Sequence, residues 1–108
     1  MSIHDLFPLR LAGALRKFLA SSWTLSSEYG HFRSTLRRDS VDGRGNPIPW
    51  MTYPAIEYLN SLDLSSLVIF EYGTGNSTQF WSKKCESLVS VESSRGWYDR
   101  VSSRIPKN

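Results

Sequence analysis

The chain contains few of the residues that bind metals or form disulfides. Its 108 residues include one cysteine, Cys85, and two histidines, His4 and His31, which lie far apart. A single cysteine excludes an intramolecular disulfide and is typical of a reducing compartment. Because no histidine or second cysteine lies near Cys85 in sequence, we interpret it as a packing residue in a predicted helix. No metal site is expected.

The sequence also lacks long hydrophobic runs. No apolar stretch approaches the roughly 20 residues that a helix needs to cross a bilayer. Near the amino terminus, Arg10, Arg16 and Lys17 interrupt the apolar residues, which argues against a secretory signal peptide. The composition, with 40% hydrophobic and 21% charged residues, is that of a soluble globular protein. We therefore expect a cytoplasmic location.

Positive charge is concentrated in the first half of the chain. Residues 1–49 hold seven Lys and Arg against four Asp and Glu, a net charge of +3, whereas residues 50–108 hold six of each. Such an excess favours an acidic partner, nucleic acid or an anionic membrane, but it is also typical of a solvated basic helix. The solvated helix is the preferred interpretation, and no nucleic-acid partner is expected.

Residues 1–49 are predicted to form a basic helical leader and a loop. Leu11, Leu15 and Phe18 recur at helical spacing, and Pro8 suits the first turn of such a helix. The predicted segments are a helix over 9–20, a Ser-rich linker over 21–27, a short helix over 28–38 and a loop over 39–49. The first helix is interpreted either as a packing or dimerisation helix or, because basic residues flank its apolar stripe, as a membrane-surface helix.

Residues 50–108 are predicted to be the start of a parallel α/β domain. Pro54 suits the first turn of a helix, and the apolar run Leu67–Phe70 is typical of a parallel strand buried on both faces. The elements that follow are a helix from about Ser77 to Glu86, a strand over Leu88–Val91 and a helix over 95–104. Trp50 and Tyr53 are expected to be core aromatics.

The loop between the predicted strand and helix carries the chemistry. Gly73 and Gly75 lack a Cβ atom, so they can turn tightly and let a ligand lie against the backbone. The polar residues Asn76–Thr78 can cap the helix that follows. Glu92 ends the second strand, where an acid can accept hydrogen bonds from the hydroxyls of a ribose. Together these features predict a site for a ligand that contains adenosine.

The loop favours a ligand without phosphates. A dinucleotide-binding loop has a third glycine where this chain has Thr78, and a phosphate-binding P-loop has a Gly-Lys-Ser/Thr sequence that is missing after Gly75. The loop also contains no basic residue. A nicotinamide dinucleotide is therefore disfavoured, and S-adenosylmethionine fits better.

At these residues the chain resembles the class I S-adenosylmethionine-dependent methyltransferases. Their first motif is similar to EYGTGNSTQFW, their second to VSVE ending at Glu92, and the helix before their first strand to PWMTYPAIEYL. The resemblance covers residues 50–108 and implies an incomplete Rossmann-like methyltransferase fold behind a helical leader. It implies S-adenosyl-L-methionine as cofactor, with Glu71 at its amino-acid end and Glu92 at its ribose. The predicted cofactor-binding residues are Glu71, Gly73, Gly75, Asn76, Ser77 and Glu92.

The predicted function is the amino-terminal, cofactor-binding part of a methyltransferase. The resemblance implies a sheet with more strands than the two predicted here, so we expect a truncated enzyme that is incomplete for catalysis, or one completed by a partner chain or a second copy. No catalytic base and no methyl acceptor can be assigned. The alternative is a non-enzymatic interaction module whose basic amino-terminal helix binds a partner or a membrane surface. Structural roles also stay open for Glu71, as a solvated strand end, and for Glu92, paired with Arg95.

Overall fold

A computed structural model describes residues 3–105, with side chains from residue 8 onward. This part of the chain is mixed α/β, with five helices and one sheet of two parallel strands. In chain order the elements are α1 (Ile3–Ser27), α2 (His31–Arg37), α3 (Tyr53–Ser61), β1 (Val68–Tyr72), α4 (Asn76–Ser82), β2 (Ser87–Val91) and α5 (Arg95–Ser102). The predicted mixed α/β class and the parallel pairing are confirmed.

Helix α1 is longer than predicted at both ends. The predicted linker over 21–27 is wrong, because these residues continue the helix to Ser27. The Ser27 hydroxyl donates to the Trp23 carbonyl at 2.7 Å, a local bond by which serine can satisfy a carbonyl near a helix end. Pro8 lies inside the helix rather than at its start. None of the helices in residues 3–105 is long and apolar enough to cross a membrane.

The two strands and α4 form a parallel βαβ unit. Val68 of β1 lies opposite Ser87 of β2, and Tyr72 lies opposite Val91. Helix α4 is shorter than predicted, because it ends at Ser82. The backbone N–H of Cys85 donates to the Trp81 carbonyl at 3.1 Å in the turn that follows. Cys85 is therefore in a connecting turn, and its predicted position in a helix is wrong.

The buried core joins α3, α4 and the segment before α3. Ile48, Ile56 and Phe80 form its centre, and Tyr53 packs against them. The expectation that Trp50 is a core aromatic is wrong, because its side chain is 97% exposed. It follows the fully buried Pro49 in a tight turn, where the Met51 N–H donates to the Pro49 carbonyl at 2.8 Å.

One face of the sheet is exposed. The prediction of a strand buried on both faces is wrong, because side chains alternate between exposed and half-buried along β1 and β2. Successive side chains of a strand point to opposite faces, and α4 packs against the strands on one of them. The exposed face consists of Ser87 and of five apolar residues, which are Val68, Phe70, Tyr72, Val89 and Val91.

Candidate functional site

The candidate site lies at the carboxyl ends of β1 and β2. The loop Gly73–Gly75 leaves β1 and enters α4, and Glu92 directly follows β2. The Gly73 N–H donates to the Val91 carbonyl at 2.7 Å, which brings the loop beside the end of β2. Because the strands are parallel, the structure brings together the two segments that the sequence analysis selected.

The two glycines of the loop differ in whether their backbone conformation requires glycine. Gly73 has a φ of 80°, in the left-handed region that other residues rarely adopt. Gly75 has a φ of 168°, which is extended backbone that any residue can adopt. A Cβ atom on Gly75 meets no protein atom within 4 Å. Neither the backbone nor the packing requires glycine at position 75, and the space beside it is open.

The carboxylate of Glu92 holds the loop in place. Its Oε2 accepts hydrogen bonds from the backbone N–H of Thr74 at 3.0 Å and from the Thr74 hydroxyl at 2.9 Å. Its Oε1 accepts one from the Ser94 N–H at 2.8 Å. These bonds, led by that from Ser94, lower the pKa of Glu92 below its ordinary value. Arg95 forms an ion pair with Asp99 at 3.2 Å, so the alternative pairing of Arg95 with Glu92 is wrong.

The remaining hydrogen-bonding capacity of Glu92 is limited but sufficient for a ligand. Each carboxylate oxygen accepts about two hydrogen bonds. Oε2 already accepts two, whereas Oε1 accepts one. One further donor can therefore bind Oε1, although a backbone hydrogen bond from Ser93 also reaches this carboxylate. A further donor at Oε2 requires the Thr74 side chain to rotate away.

Glu71 is occupied by hydroxyl groups of the protein. Its Oε1 accepts a hydrogen bond from the Ser77 hydroxyl, and its Oε2 accepts bonds from Thr78 at 2.7 Å and from Ser90 at 2.9 Å. The carboxylate thus connects β1, α4 and β2 on the half-buried face of the sheet. The solvated strand end that the sequence left open is not what the structure shows. The predicted role of Glu71 at the amino-acid end of a cofactor stays a prediction.

Thr78 makes two hydrogen bonds that a glycine at the same position could not make. Its side chain is 2% exposed. Its hydroxyl accepts a hydrogen bond from the Gly75 N–H at 2.9 Å while donating to Glu71. Position 78 is the third residue of α4, from which a side chain can cap the N–H of the residue before the helix. Glycine at this position would remove both bonds.

Asn76 fixes the start of α4 to the loop over 39–49. Its side-chain amide donates to Asp39 Oδ1 at 2.7 Å and to the Ser40 carbonyl at 2.6 Å. Three residues of this loop, Val41, Ile48 and Pro49, are buried. The loop that marks the predicted boundary at residue 49 therefore contacts the α/β part directly, while the boundary itself stays a prediction.

Three positioning residues were missed by the sequence analysis. Thr74 binds Glu92, and its carbonyl accepts a hydrogen bond from the Trp97 indole N–H at 2.6 Å. Ser90 binds Glu71 from the neighbouring strand, where the two residues are paired in register. The alternation of Ser90 with Val89 and Val91 is the one sequence signal for its position. Nothing local in the sequence indicates the contact of Trp97 with the loop.

A separate cavity lies between α4, β2 and α5. Its volume is about 620 Å³, and its lining includes Cys85, Ser90, Tyr98 and Val101. It touches the loop through Thr74 and Thr78, but none of the six predicted cofactor-binding residues lines it. The predicted crevice, by contrast, is open at the strand ends.

Neither a cluster of metal ligands nor a known relative identifies the function of this site. Across residues 3–105, no group of three or more His, Cys, Asp or Glu residues is arranged to hold a metal ion. No family model matches the chain, and no similar protein was found among curated proteins or solved structures.

Proposed function

We propose that the α/β part of this chain binds S-adenosylmethionine as part of a methyltransferase. The observation that carries the proposal is the open space beside Gly75, next to Glu92, at the carboxyl ends of two adjacent parallel strands. Ligands of open α/β sheets bind in this position. The proposed location is the cytoplasm, because a chain with one cysteine is typical of a reducing compartment.

The chemistry of the loop supports an adenosyl ligand without phosphates. The backbone at Gly75 can contact a ligand closely, because no Cβ atom stands in the way. The free position on Glu92 Oε1 can accept a ribose hydroxyl. Thr78 fills the place of the third glycine of dinucleotide sites. Residues 71–78 contain no Lys or Arg that would neutralise phosphates.

The proposed reaction is transfer of the activated methyl group to a nucleophile of the substrate. In such a reaction the protein contributes mainly by holding two reactants in the right geometry. The two strands supply one side of the cofactor crevice. We propose that a partner chain or a second copy supplies the substrate side, and we assign no catalytic base.

Calorimetric titration of the full chain with S-adenosylmethionine tests the proposal. We expect binding that is lost in Gly75→Ala, because the new methyl group enters the open space beside the loop. Gly13→Ala is the matched control, since a Cβ atom on Gly13 of α1 also meets nothing within 4 Å. Glu92→Gln should bind about tenfold or more weakly, because a charge-assisted hydrogen bond is lost.

Three outcomes contradict the proposal. These are no heat of binding with the wild type, equal binding by wild type and Gly75→Ala, and tighter binding of a nicotinamide dinucleotide than of S-adenosylmethionine. Circular dichroism of each variant establishes that lost binding is not lost folding.

The second candidate function is a non-enzymatic interaction module. The observation that favours it is the exposed apolar side of α1, where Phe18 is 67% exposed. Arg10 and Lys17 lie beside this apolar side, as in helices that bind anionic membranes. Co-sedimentation with phosphatidylserine vesicles that is lost in Phe18→Glu would support this candidate. Absence of the protein from the vesicle pellet would contradict a membrane-binding role.

A further inference from the structure

Residues 8–105 include two extended apolar surfaces that are exposed to solvent. The first is the sheet face, formed by Val68, Phe70, Tyr72, Val89 and Val91. The second is the α1 stripe, formed by Leu11, Leu15, Phe18, Leu19 and Trp23. Parallel sheets are normally covered on both faces, usually by helices. Tyr72 is 87% exposed, so none of the residues that the structure describes covers its side chain on the sheet face.

The dimensions of the two surfaces match. Each strand has five residues and is about 17 Å long at about 3.3 Å per residue. The α1 stripe extends from Leu11 to Trp23, which is about 18 Å at 1.5 Å per residue. Neighbouring strands lie about 4.8 Å apart and a helix is about 10 Å wide, so one helix can cover a two-stranded sheet. The sheet face contains no charged side chain, and the α1 stripe is bordered by Arg16, which lies three residues before Leu19 and seven before Trp23.

Helix α1 is held away from the sheet face of its own chain. Its carboxyl end is fixed to the loop over 39–49, where the Gly43 N–H donates to the Glu28 carbonyl at 3.3 Å. The approach is so close that a Cβ atom on Gly43 would lie 2.1 Å from the Ser27 carbonyl oxygen. Tyr29 then stacks on Tyr53 of α3, with ring centroids 4.8 Å apart.

These contacts connect the carboxyl end of α1 to the loop over 39–49 and to α3, while α1 itself packs on α2 and not extensively on either strand. Ile56 of α3 shares a core cluster with Phe80 of α4, and α4 packs on the half-buried face of the sheet. The chain is accordingly elongated, with a longest dimension of 68 Å. In this arrangement the α1 stripe does not cover the sheet face of its own chain, because the side chains of both surfaces are exposed.

We infer that two copies of this chain form a reciprocal dimer in which the α1 stripe of each copy covers the sheet face of the other. The arrangement has two-fold symmetry, so it forms the same contact twice and closes. It covers the α1 stripe and the sheet face of both copies.

The area involved is sufficient for a stable dimer. The sheet face exposes on the order of 500 Å² of side-chain surface, since a buried aromatic residue alone contributes about 150–250 Å². A helix of matching length contributes a similar area, so two contacts bury about 2,000 Å². Stable specific interfaces bury about 1,200–2,000 Å² in total. One contact alone would fall below that range, which favours reciprocal exchange.

Sedimentation velocity of the full chain over a concentration series tests the inference. Leu15→Glu places a charge in the α1 stripe, and Val68→Lys places one in the sheet face. Leu9→Glu is the matched control, because Leu9 is exposed on α1 but lies outside the stripe. Val68→Thr is a milder, nearly isosteric variant of the sheet face that preserves the strand. Circular dichroism checks the folding of each variant.

We expect the wild type and Leu9→Glu to be dimers, and Leu15→Glu and Val68→Lys to be monomers. The Val68→Thr dimer should dissociate at a higher protein concentration than the wild-type dimer. A mixture of Leu15→Glu with Val68→Lys should form heterodimers, because one of the two contacts then consists of unaltered surfaces and the other brings the two introduced charges, which are of opposite sign, together. A dimer between two α1 helices would be insensitive to Val68→Lys, and a dimer between two sheet faces would be insensitive to Leu15→Glu.

A dimer that persists in Val68→Lys or in Leu15→Glu overturns the inference. So does a wild-type monomer at every concentration, including one that binds phosphatidylserine vesicles through α1. The dimer requires no cofactor, so its absence leaves the proposed binding of S-adenosylmethionine unaffected. Conversely, a dimer that fails to bind S-adenosylmethionine supports the interface and contradicts the proposed cofactor.

Discussion

Replacement of Thr78 by valine tests whether the Glu71 cluster holds the βαβ unit together. The Thr78 hydroxyl accepts one hydrogen bond from the Gly75 N–H and donates one to the Glu71 carboxylate, and its side chain is buried. Valine has nearly the same shape but makes neither bond. It leaves the backbone donor of Gly75 and a carboxylate oxygen of Glu71, both half-buried, without this partner.

The two bonds set the expected magnitude. A neutral hydrogen bond contributes about 1 kcal/mol to stability, and one to a charged group about 1.5–3 kcal/mol. The extra apolar burial of the valine methyl group offsets about 0.8 kcal/mol. We therefore expect Thr78→Val to lower the free energy of unfolding by about 2–3 kcal/mol. For a chain of this size the melting temperature should fall by on the order of 10 °C.

Urea denaturation followed by circular dichroism measures the effect, with Thr78→Ser as control. Serine keeps the hydroxyl and loses one buried methyl group, which costs about 1 kcal/mol. The valine variant should therefore be less stable than the serine variant. The reasoning is refuted if Thr78→Val is as stable as Thr78→Ser or more stable, because the hydroxyl bonds would then contribute nothing.

The remaining predictions concern the loop. Hydrogen bonds, led by that from Ser94, hold the pKa of Glu92 below its ordinary value of 4.5. The ionised Glu92 carboxylate therefore stabilises the fold fully above pH 4.5, and this stabilisation is lost as the pH falls through the lowered pKa. The urea midpoint of the wild type should thus fall more steeply than that of Glu92→Gln between about pH 5 and pH 3, and parallel profiles would contradict the assignment. Trp97→Phe should cost about 1 kcal/mol through the lost bond to the Thr74 carbonyl, measured by thermal denaturation, and an unchanged melting temperature would exclude a stabilising bond. Gly73→Ala should lower the free energy of unfolding by about 1–2 kcal/mol, because the φ of 80° at Gly73 is left-handed. Gly13→Ala should instead stabilise the protein, because Gly13 lies within helix α1. Equal effects of the two substitutions in urea denaturation would contradict this reasoning.

Local sequence patterns were sufficient to predict the order of the elements. The apolar run before the glycine loop predicted β1, and the alternation around Val89 and Val91 belongs to β2. Parallel strands need a crossover connection, and the helix predicted between β1 and β2 supplies it. The prediction failed at α1, where serines over 21–27 resemble a linker but continue the helix. Single-residue turn preferences are weak compared with the tertiary contacts that fix the end of this helix.

The sequence predicted that the two strand ends meet, but it did not predict the hydrogen bonds around them. Gly73 and Glu92 come together because both lie at strand ends, which sequence spacing can indicate. The contacts of Glu71 with Ser90 depend on the strand register, and that of Thr74 with Trp97 depends on how α5 packs. Exposure of the sheet face likewise depends on which elements cover it, and the composition of a single strand carries no such information.

Two-dimensional NMR of the full chain titrated with S-adenosylmethionine tests the central claim most directly. The proposed function predicts that the largest amide shifts belong to Gly73, Thr74, Gly75 and Glu92, at the carboxyl ends of β1 and β2. Shifts confined to the cavity around Tyr98 and Val101 would contradict the proposed site. The absence of any shift at saturating ligand would contradict S-adenosylmethionine as the cofactor.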